Sequence, residues 1–141
     1  MTDLDTLLDG IPVLTGQGRH VTPLPGGLTN LNYRVRTDGG LDVVVRASSP
    51  DTGLLGVDRH AEHVNTLAAA AAGVGAPVVD YLEGRGVMVV EFLPGRTWAD
   101  ADVAANPVRL AAALRRLHAG PAFLGRFDMF ALRAQYLAVV R

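Results

Sequence analysis

The sequence contains no cysteine, which excludes disulfides and thiolate metal centres. It contains no lysine either: all 13 basic residues are arginine, so any site that would ordinarily hold phosphate with lysine has to use arginine. Charge of one sign is also missing. A formal net charge of -1 gives no sign of the basic face that nucleic-acid binding needs, so no nucleic-acid partner is expected. No apolar run approaches the roughly 18 residues that a bilayer span requires. The acidic start Met1-Thr2-Asp3-Leu4-Asp5 has no apolar core behind it and does not read as a signal peptide. A cytoplasmic location is therefore expected. What is there is 49% apolar and 19% charged, a globular rather than a disordered composition, over a length of 141 residues that suits a single buried core.

Residues 3–9 read as a short helix. Val21 to Leu24 and Asn30 to Arg36 read as strands, joined through Pro25-Gly26-Gly27-Leu28-Thr29. Asp38-Gly39-Gly40 is a hairpin signal leading into a third strand, Asp42 to Arg46. Ser48 to Gly56 reads as a loop. Asp58 can cap a helix that runs to about Ala72 and stops at Gly73, with Ala61, Val64, Ala68 and Ala71 on one stripe. Two further strands, Pro77 to Leu82 and Gly86 to Phe92, flank the turn Glu83-Gly84-Arg85. Pro94-Gly95 breaks the chain. Asn106 then caps a helix with Pro107 at its first position and Leu110, Leu114 and Leu117 as its seam, and a last helix starts at Asp128. The short connections predict an α+β fold: a five-stranded antiparallel sheet with one packed helix, followed by more helices. Arg34 and Arg36, alternating with Tyr33 and Val35, suggest an edge strand with one wet face.

Four features in this order bear on chemistry. The diglycine turn Gly26-Gly27-Leu28-Thr29-Asn30 allows backbone N–H groups to approach phosphate closely, although a Gly-Gly hairpin turn is also a common structural device. Alternation puts Val44 and Arg46 on one sheet face, where a branched residue can cover a flat base while a cation reaches phosphate; a strand-end Arg in solvent gives the same pattern. Glu62 lies beside the helix's apolar stripe, where it can lean over the sheet and pair with Arg46, or simply face water. Finally, Val89-Val90-Glu91-Phe92-Leu93-Pro94-Gly95 carries a buried strand into a break. His60 and His63 stand at i, i+3 without further ligands in view, so no metal site is expected from them. His118 reads as a helix-end residue and Trp98 as a cover for the following helix.

The order of these features matches the N-lobe of protein-kinase-like phosphotransferases. Residues 26–35, Val44-Val45-Arg46 (with Val57 to Asn65 after it), Glu91-Phe92-Leu93-Pro94-Gly95, Leu114 to His118 and Phe127-Asp128 ahead of Tyr136 together resemble the bacterial choline/ethanolamine kinase family over about residues 21–141. The resemblance implies a kinase-like N-lobe in residues 1–93, and a hinge with the first helices of an incomplete second lobe in 94–141. It further implies that Gly26, Gly27, Thr29 and Asn30 cover phosphate and that Arg46 takes the place of the usual lysine with Glu62 as its partner. Val44 would pack on adenine, and the Glu91 carbonyl and Leu93 N–H would read its edge. ATP and Mg²⁺ are the implied cofactors, and the substrate would be a small amino alcohol, choline or ethanolamine, ahead of an aminoglycoside or sugar.

The family's catalytic His-Gly-Asp loop and its metal ligands have no counterpart before Arg141, and Asp128 lacks that context, so no catalytic or metal residue is assigned and the chain by itself is expected to be inactive. A truncated gene, a cloned fragment, a split enzyme with the second lobe on a separate polypeptide, and a non-catalytic nucleotide-binding module all fit. Each would leave Phe123, Phe127, Phe130 and Leu137 exposed.

Overall fold

The structure is a computed structural model and describes residues 4–26, 30–48, 58–125 and 128–139. Five antiparallel strands form one sheet: β1 (Arg19–Leu24), β2 (Asn30–Thr37), β3 (Asp42–Ser48), β4 (Val78–Leu82) and β5 (Val87–Glu91), in spatial order β1-β2-β3-β5-β4. The hairpin between β2 and β3 forms where Asp38-Gly39-Gly40 requires it. Gly40 takes φ 87°, a left-handed conformation that glycine adopts without steric cost, and its N–H donates to the Thr37 carbonyl at 3.0 Å. The β2 strand is not an edge, contrary to the expectation from Arg34 and Arg36. It pairs with β1 on one side and β3 on the other, and β1 and β4 are the edges. Alternating arginines report a wet face, which an inner strand of a one-sided sheet also has.

The two faces differ sharply. On one, Val35, Val43, Val45 and Val89 are fully buried, with Ala47 and Val87 nearly so. They pack against Leu8 of α1 (Leu4–Asp9), against Ile11, and against Leu14 at the end of a 3₁₀ turn (Pro12–Leu14), all three also fully buried. Full burial of such a side chain contributes about 1.5–3 kcal/mol each. Arg19 of β1 holds α1 in place through Asp9 at 2.7 Å and Asp5 at 3.2 Å. The main core is therefore closed by the N-terminal segment, while the larger helix α2 (Arg59–Ala71) covers the opposite face.

Asp58 caps α2 as expected, its carboxylate accepting from the Ala61 N–H at 3.0 Å. Of the expected stripe only Ala68 is fully buried. Ala61 and Val64 are half-buried and Ala71 is exposed. The loop expected from Ser48 to Gly56 lies outside the described residues except for Ser48, which extends β3. After β5 comes a helical turn that the sequence reading did not include, α3 (Asp100–Ala105). Its start is held by Asp102, whose carboxylate accepts from Ala99 N–H at 2.9 Å and from Arg96 at 2.6 Å through both oxygens. Asn106 precedes α4 (Pro107–Ala119) but does not cap it through its side chain, which donates instead to the Asp102 carbonyl at 2.9 Å. The final helix is α5 (Met129–Val139). Asn65 of α2 binds the segment before it reciprocally, donating to the Leu124 carbonyl at 3.0 Å and accepting from its N–H at 2.6 Å. Among the described residues no helix is long and apolar enough to cross a membrane.

Candidate functional site

The face of the sheet opposite the α1 core carries the candidate site. Because side chains alternate along β3, Val43, Val45 and Ala47 enter the core while Val44 and Arg46 point the other way. Register places Arg46 opposite Asn32 on β2 and Met88 on β5, and Val44 opposite Arg34 and Val90. Glu62 sits one turn into α2 and reaches down to this face. Its Oε1 meets Arg46 Nη2 at 2.7 Å, so the expected pairing is present. The side chains keep 32% and 23% of their exposure, enough for a ligand to reach Arg46 and little enough that solvent screens the pair only in part.

Two neighbours complete the cluster. Arg59 Nη1 donates to Glu62 Oε2 at 2.6 Å and to Asn30 Oδ1 at 2.9 Å. Tyr81 of β4 donates its hydroxyl to the Arg59 carbonyl at 3.3 Å and stacks on His63, ring centroids 3.9 Å apart and 15° from parallel. Asn30, Arg46, Arg59, Glu62, Tyr81 and Met88 border a recess of about 10 Å³, room for about one water. His63 thus stacks on Tyr81. Among the described residues no group of three or more His, Cys, Asp or Glu side chains is placed to hold a metal.

Gly26 precedes the turn with φ 91°, and its carbonyl accepts from Asn32 Nδ2 at 3.0 Å. Gly27 and Thr29 lie outside the described residues. Asn30 opens β2 and is turned toward α2 by Arg59. At the end of β5, Glu91 and Leu93 are exposed, the latter at 58%, and register pairs Glu91 with Val43 of the core-facing set rather than with Val44. The segment leaves β5 under restraint: the Glu91 N–H donates to the Pro77 carbonyl at 2.9 Å and the Phe92 N–H to the Asp42 carbonyl at 3.0 Å. Arg34 reinforces it. Its guanidinium lies 3.5 Å over the Phe92 ring and grips both Asp42 oxygens at 2.9 and 2.6 Å. These hydrogen bonds hold the Asp42 carboxyl below, and the Arg34 guanidinium above, their ordinary ranges.

Sequence reasoning thus put Val44 and Arg46 on one face and offered the pairing of Arg46 with Glu62, but missed Arg59 and the Arg34–Asp42–Phe92 brace. Arg59 carried one usable signal, its i, i+3 spacing to Glu62. Nothing local to Arg34 announces Asp42 or Phe92.

Residues 20–138 match the family model described as APH, the phosphotransferase enzyme family. The fold is shared with a choline/ethanolamine kinase family protein from Mesorhizobium loti, at 33% identity and a TM-score of 0.73 over 94% of this chain. It is shared more distantly with an ethanolamine kinase from Plasmodium vivax, at 17% identity and a TM-score of 0.57 over 90% of this chain. This chain spans 43% and 33% of the length of those two proteins. Curated protein sequences contain no match to it. The sheet order and the helix across its second face are those of the N-lobe of a kinase-like fold. With nearly its whole length matched by the family model, the chain belongs to the APH phosphotransferase enzyme family.

Proposed function

We propose that this chain is the nucleotide-binding part of an ATP-dependent kinase that phosphorylates the hydroxyl of a small amino alcohol, choline or ethanolamine, ahead of an aminoglycoside or sugar. The observation that carries the reading is the 2.7 Å contact between Arg46 and Glu62, made on the sheet face that also bears Val44. A guanidinium held by a carboxylate is preorganised to bind phosphate oxygens, and its fork serves two of them at once. Val44, half-buried beside Val90, supplies an apolar surface for the base. The Glu91 carbonyl and Leu93 N–H stand on the restrained segment where the base edge would be read, and Gly26, Gly27, Thr29 and Asn30 are the residues that would cover the phosphates. Residues 1–93 act as the nucleotide lobe and 94–141 as the hinge and the start of a second lobe.

Phosphoryl transfer in such kinases uses Mg²⁺ to neutralise phosphate charge. The carboxylate nearest the site does not suit that role here, since Glu62 is already engaged by two guanidiniums. The chain's own residues therefore bind and orient the nucleotide, and no step is assigned to a metal. A second reading, a non-catalytic nucleotide module that docks on a separate second lobe, accounts equally for the exposure of Val108, Met129 and Phe130, at 76%, 68% and 86%.

Calorimetric titration with ATP tests the proposal. Saturable binding is expected, weakened about tenfold or more by Arg46→Ala. Absence of binding to any nucleotide contradicts it. With ATP, Mg²⁺ and choline, the chain alone is expected to give no turnover; phosphocholine formed in proportion to protein would contradict that part.

A further inference from the structure

We propose that Arg34 is a positioning residue that sets a preference for adenine, by holding the backbone that leaves β5 so that the Glu91 carbonyl and the Leu93 N–H stay fixed for one base edge. This rests on the nucleotide-binding reading above and concerns the base end of the cleft, not the phosphate end. Its basis is a circuit of short contacts there. The Arg34 guanidinium donates from Nε and Nη2 to the two Asp42 oxygens at 2.9 and 2.6 Å, and it lies 3.5 Å over the Phe92 ring. The Phe92 N–H donates back to the Asp42 carbonyl at 3.0 Å, and the Glu91 N–H donates to the Pro77 carbonyl at 2.9 Å. Phe92 is therefore gripped twice, at its ring by a residue of β2 and at its backbone by a residue of β3.

Arg34 stands where this grip matters. Register puts it opposite Val44, which in turn lies opposite Val90, so it borders the apolar surface offered to the base. A strand rises about 3.3 Å per residue, so Asp42 lies about 13 Å from Arg46 along β3, with Val44 midway. A base over Val44 thus has the Arg46–Glu62 pair on one side and the Arg34–Asp42–Phe92 brace on the other. Among the described residues nothing accepts a hydrogen bond from the Leu93 N–H, so its direction depends on Phe92 before it. The Arg34–Asp42 pair is neutral and acts through shape: a fork that serves both oxygens and a flat face that stacks, neither of which lysine has. Adenine presents an amino donor beside a ring acceptor, which matches a carbonyl and an N–H. Guanine presents an acceptor oxygen and a ring N–H at the same places. A carbonyl and an N–H held still reject that mismatch, whereas a loose segment shifts to accommodate it.

Calorimetry on the chain with ATP, GTP and inorganic tripolyphosphate in MgCl₂ tests this. The unsubstituted chain is expected to bind ATP at least about tenfold more tightly than GTP. Arg34→Met removes the fork and the charge but keeps an apolar stem. It is expected to weaken ATP about tenfold and to leave GTP and tripolyphosphate within about threefold, so that the base preference is lost. Arg34→Lys keeps the charge without the fork and is expected to behave like Arg34→Met. A merely structural role would weaken all three ligands together. Phe92→Leu is expected to narrow the same preference, and the double variant to go no further than Arg34→Met alone, because both remove one contact. If Arg34→Met does not fold, Phe92→Leu, which spares the pair with Asp42, is still expected to narrow the ATP-to-GTP ratio by about threefold or more. An unchanged ratio in the variants, equal loss for all three ligands, or no preference for ATP in the unsubstituted chain overturns the inference while leaving the nucleotide reading intact. No ATP binding by the unsubstituted chain overturns both.

Discussion

The two faces of the sheet are built from the same strands and do opposite things. Facing α1, every inward side chain of β3 is 4% exposed or less, and the contacts are all apolar. Facing α2, the next residues along the same strand, Val44 and Arg46, stay half-open, and the contacts are charged or hydrogen-bonded. Stability and recognition are separated by the two-residue period of a strand, so one position can be altered on either face with little consequence for the other. The dry face holds the shape, and the wet face holds a cation where a ligand can reach it.

The sharpest way to break this division is on the dry side. Leu8→Ala should destabilise the chain by about 2–5 kcal/mol, because it opens a cavity in a fully packed cluster, as measured by denaturant unfolding. A loss below about 1 kcal/mol would mean that the α1 face is not the core. On the wet side, Glu62→Gln should lower ATP affinity about tenfold, since Arg46 and Arg59 lose their shared anion, while the unfolding midpoint moves far less than for Leu8→Ala.

Smaller effects sharpen the contrast. Phe130, 86% exposed on α5, belongs to neither face of the sheet, so Phe130→Ser should change stability by no more than about 0.5 kcal/mol while reducing self-association in sedimentation. The smallest effect concerns the Arg34–Asp42 brace. The folded carboxyl titrates below its unfolded value, so the brace's support is present above that unfolded value, near pH 4, and fades as pH falls toward the folded one. Asp42→Asn should therefore lower stability slightly across the neutral range, with the difference from the unsubstituted chain vanishing as pH falls through the folded carboxyl's range, so that the acid limb is flatter.

Most of the fold was legible in the sequence because alternation and turn chemistry are local. Asp38-Gly39-Gly40 marks its hairpin, Asp58 its helix start, and the Val43 to Arg46 alternation states which side chains share a face. The pairing of Arg46 with Glu62 was legible for the same reason, one residue placed by strand period and the other by helix period. What failed was long-range. A six-residue helix does not state which face of a sheet it will cover, so the role of Leu8, Ile11 and Leu14 in closing the core was invisible. The inner position of β2 depends on β1 pairing along its far side, and local polarity does not report that. The start of helix α3 is held by Asp102 and Arg96, a contact six residues apart that follows the Pro94-Gly95 break. Arg59 sits 29 residues from Asn30, a distance no periodicity spans.

The central claim is that Arg46, held by Glu62, is where phosphate binds. The most direct measurement follows the arginine side-chain Nε–Hε signals by NMR while ATP, and separately adenosine, is titrated into the chain. The account predicts that the Arg46 signal, assigned by its loss in Arg46→Lys, moves with ATP and stays still with adenosine. An Arg46 signal that does not move while ATP saturates the protein would contradict it.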